Sequence, residues 1–342
     1  MFKAAIVGCG RIASLFDDDP KRKVSVATHA GAYKSNTRIE LVAAADIDPL
    51  RLKNFGERWG LTSLYADYVE MLERQKIDIL SVCTWNSTHY AICKNACLHG
   101  VKAIFCEKPI TDRLADADKM VELCREKKVI LAVNHLRRWD KLHQQIKQYI
   151  AEGKLGKIQG ASAYYTAGIA NTGTHLLDIL RLLFGEVEWL SANFKNDFDA
   201  PDPCPDVYLY FKQGFGVTLQ GMDVGSYLIL EIDIFGTKGR LRIKDSGFSA
   251  CLWEVVDHPE FSGYKGLGQE RQAFGAGLKD TMANAVNDII GCINTATLPM
   301  SSGEDGRAAL ELICAIHASG KEQKGGKVFL PLKNRDMLIG SK

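Results

Sequence analysis

The stretch Ala4-Ala5-Ile6-Val7-Gly8-Cys9-Gly10-Arg11-Ile12-Ala13 decides the fold. Four apolar residues run straight into two glycines one residue apart, and a small residue stands three positions further on. After a strand, the first glycine allows the tight turn and the second lets backbone approach a pyrophosphate. The third small residue lets a helix pack on the strand. The helix predicted to open there offers free N–H groups and the positive end of its dipole to phosphates. Gly8, Gly10, Arg11 and Ile12 are therefore candidate cofactor contacts. A plain strand–helix turn reads the same way, so the assignment rests on the rest of the chain.

Working outward, apolar runs at residues 4–7, 39–45, 79–83, 103–106 and 129–133 alternate with helix-like segments at 49–59, 68–73, 88–99 and 114–127. Strands that are apolar throughout, with helices between them, imply a parallel sheet covered on both faces. That is a doubly wound α/β fold. After residue 134 the rhythm changes. A helix (139–152), a strand (158–165) and a helix (173–184) lead to strand-like segments at 188–194, 207–211, 216–222, 228–235 and 240–244. Lys212-Gln213-Gly214 and Gly236-Thr237-Lys238-Gly239 are hairpin turns between them. Helices at 280–293 and 303–319 precede a last strand at 328–332. The expected organisation is a Rossmann domain over 1–133 and an α+β domain over 134–342. The second has an open, mainly antiparallel sheet with helices on one face.

The 342 residues are 46% apolar and 25% charged, with a net charge of +2, the composition of an ordinary globular protein. No basic face argues for nucleic acid, and Lys21-Arg22-Lys23 is too short to count. No apolar run reaches the length of a membrane span, and Met1-Phe2-Lys3 leads directly into a strand pattern rather than a signal sequence. The ten cysteines sit singly in apolar segments, without Cys-x-x-Cys spacing. Buried free thiols of a cytoplasmic protein are expected, with no metal site.

Several polar residues fall where such a fold binds ligands, at the carboxyl ends of strands. Asp46 ends the second strand, where a carboxylate accepts both hydroxyls of an adenosine ribose and repels a 2′-phosphate. This favours NAD over NADP, although Arg51 nearby leaves room for NADP. Its spacing from the glycine turn is longer than the usual ~20 residues, which an insertion around 17–25 explains. The competing reading of Asp46 is a helix cap ahead of Pro49. Thr84, Asn86 and His89 follow the third strand and suit the nicotinamide-side ribose, or serve as ordinary cap residues. Glu107-Lys108-Pro109 ends the next strand in a corner where proline pins a lysine ammonium. In Asn171-Thr172-Gly173-Thr174-His175-Leu176-Leu177-Asp178, the histidine and aspartate share a helix face with Arg181. A neutral imidazole suits removal of an alcohol proton near pH 7, and a solvated stripe fits the same spacing. Tyr165 suits stacking on a sugar face, or equally core packing.

Taken in order, Gly8-x-Gly10-x-x-Ala13, Asp46, Thr84-x-Asn86-x-x-His89, Glu107-Lys108-Pro109 and Gly173-x-His175-x-x-Asp178 resemble the glucose–fructose oxidoreductase/inositol dehydrogenase/MocA family. The resemblance runs to the closing Asp305-Gly306-Arg307 and Val328-Phe329-Leu330-Pro331 patterns. It implies hydride transfer between NAD and a secondary hydroxyl or keto carbon of a sugar, cyclitol or nucleotide sugar. In that picture Lys108 polarises the substrate oxygen, His175 is the general acid/base, and Asp178 holds a substrate hydroxyl or orients the histidine. Glu107 and Asn134 fall beside the nicotinamide, while Asn171 and Arg138 line the substrate. The open sheet would form a homodimer or homotetramer. Many members carry an acid where this chain has Asn171, which leaves proton handling to His175 and Lys108. Trp85 replaces a frequent proline. Two further readings keep the cofactor but change the outcome: redox-assisted elimination or glycoside hydrolysis with tightly bound NAD, and a non-catalytic NAD-binding sensor.

Overall fold

The computed structural model describes residues 1–21, 26–195, 200–321 and 326–340. Parts of the basic cluster at 21–23 and of the insertion at 17–25 thus lie outside the described residues. The strands are β1 (Phe2–Val7), β2 (Ile39–Ala45), β3 (Leu64–Tyr65), β4 (Ile79–Val82), β5 (Ala103–Cys106), β6 (Ile130–Val133), β7 (Ile158–Tyr165), β8 (Val187–Asn193), β9 (Asp206–Phe211), β10 (Phe215–Gly221), β11 (Leu230–Gly236), β12 (Gly239–Lys244), β13 (Ser249–Asp257), β14 (Lys265–Leu267) and β15 (Val328–Phe329). The helices are α1 (His29–Lys34), α2 (Pro49–Trp59), α3 (Tyr68–Arg74), α4 (Asn86–Leu98), α5 (Leu114–Lys127), α6 (Lys141–Ala151), α7 (Thr174–Phe184), α8 (Thr281–Thr295) and α9 (Gly303–Lys321). Two compact units result. Met1–Trp139, Asp280–Ala308 and Asp336–Lys342 make the first, and Asp140–Lys279 with Ala309–Arg335 make the second.

In the first unit, six strands run in the order β3-β2-β1-β4-β5-β6, and every neighbouring pair is parallel. The order reverses between β1 and β4, where an open α/β sheet leaves a crevice at its carboxyl edge. Ala4, Ala5, Ile6, Ile79, Leu80, Ala103, Ile104 and Phe105 are fully buried, which is why these strands read as unbroken apolar runs. α8 adds Met282, Val286, Ile289 and Ile290 to the same core, beside Tyr33, Phe55 and Trp139. Helix ends follow their caps. Asp48 accepts the N–H groups of Leu50 and Arg51 at 3.0 and 3.1 Å, Pro49 occupies the first turn, and Gly60 closes α2 in the left-handed region.

The helix expected directly after the glycine turn is interrupted. Residues 11–14 make one helical turn, with Ser14 N–H donating to Gly10 O at 3.1 Å, and a short 3₁₀ stretch at Leu15–Asp18 follows. α1 then resumes the path, because the N–H groups of His29 and Ala30 donate to the carbonyls of Ile12 and Ala13 at 3.2 and 3.0 Å. Asp17 holds the far side of this break, accepting from Ala27 N–H at 2.7 Å and from Thr28 Oγ1 at 2.5 Å. β3 is also additional to the expected strands.

The second unit carries a nine-stranded sheet in the order β14-β13-β12-β11-β7-β10-β9-β8-β15. All neighbours are antiparallel except β7 and β10, which pair in parallel. Burial alternates along β7, β9, β10 and β12, the mark of a sheet with one covered face. The hairpin β13–β14 is additional to the expected strands.

α9 starts with a reciprocal cap: Ser302 Oγ accepts Asp305 N–H at 3.2 Å, and Asp305 Oδ2 accepts Ser302 N–H at 3.1 Å. The same aspartate pairs with the buried guanidinium of Arg138 at 3.0 Å. Asp305→Ala should therefore cost about 3 kcal/mol or more in a urea titration, since it removes a cap and leaves a buried cation without its carboxylate. Asp305→Asn, which can keep the cap, should lose less; an Ala variant as stable as the parent would refute the pairing.

Candidate active site

The carboxyl edge of the first unit's sheet begins with the glycine turn. Gly8 has φ +89°, and a Cβ there would lie 2.8 Å from the backbone carbonyl of Cys83. Only glycine fits where this turn crosses the end of β4. At Gly10, by contrast, nothing lies within 4 Å of an added Cβ, so this side of the turn is open. Arg11 is exposed with its guanidinium 4.6 Å from the Phe16 ring centroid, and Ile12 is partly exposed. Asp46, buried at the end of β2, accepts Cys9 N–H through Oδ2 at 2.7 Å and Asp48 N–H through Oδ1 at 2.9 Å. It fastens the glycine turn to β2, and the cap role falls to Asp48 instead. Burial, followed by the charge of Asp46, pushes the Cys9 thiol far up, so this cysteine is inert packing.

After β4, Thr84 Oγ1 accepts from Thr88 Oγ1 at 2.7 Å, Asn86 opens α4, and Trp85 is exposed. His89 is buried. Its Nδ1 lies 3.2 Å from Ile110 O and its Nε2 3.0 Å from Thr84 O. Burial holds its pKa below the ordinary histidine value, against the pull of those carbonyls. The ring thus braces the β4 loop against the segment that follows Pro109.

Glu107 follows β5 and is buried, with its charge met by three donors. His29 Nε2 lies 3.0 Å from Oε1, Asn134 Nδ2 donates to Oε1 at 2.6 Å, and Lys108 N–H donates to Oε2 at 3.3 Å. Burial raises its pKa, but the His29 and Asn134 hydrogen bonds and the charge of Lys108 outweigh this and hold it below the usual carboxyl value. Lys108 is partly exposed beside it, and the Lys108–Pro109 peptide is cis. Asn134 also donates to Met282 Sδ at 3.6 Å, while its buried Oδ1 has no partner among the described residues.

In the second unit, a π-helical turn at Gly168–Gly173 leads into α7. Asn171 is exposed, His175 is partly exposed, and Asp178 is buried one turn further on. Asp202 accepts the N–H groups of Ala170 and Asn171 at 2.8 and 3.0 Å. A carboxylate from a distant segment therefore stands beside Asn171. Two expected substrate contacts are corrected. Tyr165 is fully buried and donates its hydroxyl to Pro205 O at 2.7 Å, which makes it core. Arg138 is buried in its pair with Asp305 and also donates to Met300 O at 3.4 Å. The structure thus gathers Gly8, Gly10, Asp46, Thr84, Asn86, Glu107, Lys108 and Asn134 at one sheet edge. It gathers Asn171, His175 and Asp178 around one helix start.

Sequence reading missed His29, Ser81 and Tyr33 behind Glu107, and Asp202 beside Asn171. A signal existed for Ser81, the one polar residue of β4. All ten cysteines are free thiols.

A doubly wound sheet with a glycine turn and an acid ending β2 marks a dinucleotide-binding domain. Residues 2–135 match the family model for the GFO_IDH_MocA oxidoreductase family, NAD-binding Rossmann fold. Over nearly their whole lengths, the chain is similar to D-apiose dehydrogenase of Paraburkholderia graminis, 26% identical over 94% of this chain and 88% of that one. Myo-inositol 2-dehydrogenase of Thermotoga maritima is 27% identical over 95% of this chain and 98% of its own length. In fold it is like the WlbA dehydrogenase of Bordetella pertussis in complex with NADH and UDP-GlcNAcA: TM-score 0.77, 22% identity, 97% and 99% of the two chains covered. It is likewise similar to a levoglucosan dehydrogenase complexed with NADH and L-sorbose: TM-score 0.78, 18% identity, 96% and 99% covered. Residues 2–135 thus carry the NAD-binding Rossmann fold of the GFO_IDH_MocA oxidoreductase family, and the chain is a nicotinamide-dependent dehydrogenase. Its own residues fit that cofactor, with the open side of Gly10 for a pyrophosphate and the unpartnered Oδ1 of Asn134 for an amide donor. Among the described residues, no helix is long and apolar enough to cross a membrane.

The depressed Glu107 carboxyl makes a pH prediction. Its contribution to stability is present above the ordinary value of 4.5 and is lost as pH falls through the lower folded value. The stability gap between the parent and Glu107→Gln, followed by thermal melts, should thus shrink steadily as pH is lowered below about 4.5. A gap independent of pH would show that the buried group is not ionised.

Proposed function

We propose that the protein oxidises a secondary hydroxyl of a sugar, cyclitol or nucleotide sugar, or reduces the corresponding ketone, with NAD preferred over NADP. The observation that carries this reading is the Glu107–Lys108 corner. An ammonium follows a buried, ionised carboxylate held by three donors at the carboxyl edge of the sheet. The bound nicotinamide would supply the hydride acceptor or donor, and the rest of the chemistry is proton management.

Lys108 hydrogen-bonds the reacting oxygen and stabilises the negative charge that develops there as the O–H proton leaves. His175 takes that proton in oxidation and returns it in reduction. Asp178, one turn along α7, orients the imidazole or holds a neighbouring hydroxyl. Asn171 binds a hydroxyl by its amide and leaves the proton to His175. Gly8, Gly10, Arg11 and Ile12 hold the pyrophosphate, while Thr84, Asn86 and Asn134 hold the nicotinamide half. Asp46 already accepts two backbone N–H groups, yet each carboxylate oxygen has a second lone pair. Those lone pairs accept the ribose hydroxyls, and the charge repels a 2′-phosphate. The relatives of known activity are named for apiose and inositol, which supports a polyhydroxylated substrate. The open face of the nine-stranded sheet is the surface proposed for self-association into a dimer or tetramer.

A panel of pentoses, hexoses, cyclitols and nucleotide sugars, followed by NADH absorbance at 340 nm, tests the reading directly. With the best substrate, His175→Ala should lower turnover by ~10²–10⁴-fold while NAD affinity is kept. Full turnover in that variant would remove His175 from the chemistry. Asp46→Ala should narrow the ratio of kcat/KM for NAD over NADP, and an unchanged ratio would mean that its carboxylate does not face the ribose.

A further inference from the structure

Behind the lysine corner lies a chain of polar side chains that the proton chemistry above does not use. His29, fully buried at the start of α1, reaches Glu107 Oε1 through Nε2 at 3.0 Å and Ser81 Oγ through Nδ1 at 2.8 Å. Ser81 Oγ in turn lies 2.6 Å from the hydroxyl of Tyr33, which is also fully buried. Burial pushes the Tyr33 phenol far up, so it keeps its proton and acts as a donor. The hydrogen bonds then have one consistent direction. Tyr33 O–H donates to Ser81, Ser81 O–H donates to Nδ1 of His29, and Nε2–H of His29 donates to the carboxylate of Glu107.

These groups sit among apolar surfaces. The His29 ring packs 4.4 Å from Phe105, and the rest of β4 is Ile-Leu-Val. Aliphatic side chains would fill the same space with no polar atoms to satisfy. Beyond its own three members, the chain of hydrogen bonds ends on one group, the glutamate next to Lys108. That carboxylate accepts the Lys108 N–H itself. His29 also starts α1 by donating its backbone N–H to Ile12 O at 3.2 Å. Its main chain thus belongs to the glycine turn and its side chain to the lysine corner.

We propose that His29, backed by Ser81 and Tyr33, is the positioning residue of the catalytic corner, holding the Glu107 carboxylate so that it fixes the Lys108 backbone. The inference rests on the proposed role of Lys108 and adds a residue to it. It separates two effects that a purely structural histidine would mix. Loss of the side chain affects the lysine corner, while the backbone N–H contact to the glycine turn remains in the variants below and keeps NAD affinity.

Three variants divide the contacts. His29→Gln places an amide near the Nε2 position and can still donate to Glu107. His29→Asn places one near Nδ1 and keeps only the Ser81 side. His29→Leu keeps neither. The Asn and Leu variants should lower kcat by about 10–100-fold, the scale expected of a displaced catalytic group, with NAD affinity by calorimetry unchanged. His29→Gln should retain near-parental kcat. In the cofactor-free protein, amide hydrogen exchange of the peptide spanning residues 104–111 should speed up in the Asn and Leu variants and stay slow in the Gln variant. Equal kcat in the Asn and Gln variants, or unchanged exchange in the Leu variant, would overturn the proposal. If His29→Leu fails to fold, Ser81→Ala takes its place. It should lower kcat by a smaller factor and speed the same exchange, and parental behaviour in both would overturn the proposal equally. The exchange measurement needs no substrate, so a protein that oxidises no sugar would defeat the reading of function while leaving this coupling to be judged separately.

Discussion

A negative charge buried at the end of β5 organises the carboxyl edge of the first unit's sheet. An ionised carboxylate without partners in such a place would cost several kcal/mol, so Glu107 can exist only where donors converge on it. They come from α1 (His29), from the residue after β6 (Asn134) and from the next backbone amide (Lys108). The end of β5, the start of α1 and the end of β6 are thereby held to one point. The ammonium that follows is delivered from a segment whose other groups are already satisfied.

The same device appears at the end of β2, three strands away in the sheet. Asp46 takes the Cys9 and Asp48 N–H groups, so a buried acid at the end of β2 fixes the shape of the glycine turn as Glu107 fixes the corner. Steric exclusion completes the arrangement, because the Cys83 carbonyl leaves no room for a side chain at Gly8. Asp46 is held by backbone amides and Glu107 by one backbone amide and two buried side chains, so both acids are fixed by hydrogen bonds. This accounts for a site on loops that behaves as part of a rigid scaffold.

What could be read from sequence followed the strength of local signals. α2 was legible end to end because Asp48, Pro49 and Gly60 punctuate it, and β2 and α5 were legible from clean apolar patterns. The two-residue β3 carries no pattern to read. The parallel pairing of β7 with β10 was hidden, because alternation marks a half-buried strand but not its partner's direction. Tyr165 was ambiguous as an aromatic in isolation. Its place on the same face as Ala161 and Ala163 of β7 is what buries it. His29 left no signal, since it lies in a six-residue helix detached from its motif, and its partners Ser81 and Glu107 are 52 and 78 positions away.

The broken helix after the glycine turn explains the one spacing that did not fit. Asp46 lies 33 positions beyond Ala13, longer than the ~20 typical of such folds. The extra residues enter between Asp18 and Thr28, and the helix path resumes only because the N–H groups of His29 and Ala30 find the carbonyls of Ile12 and Ala13. A turn of helix that ends early leaves its last carbonyls without donors. A second helix start, whose first N–H groups lack acceptors, is the complementary partner. Asp17 draws the two together by binding Ala27 N–H and the Thr28 hydroxyl, and Thr28 then caps α1. The two broken ends thus satisfy each other, and His29 stands where its ring reaches the glutamate.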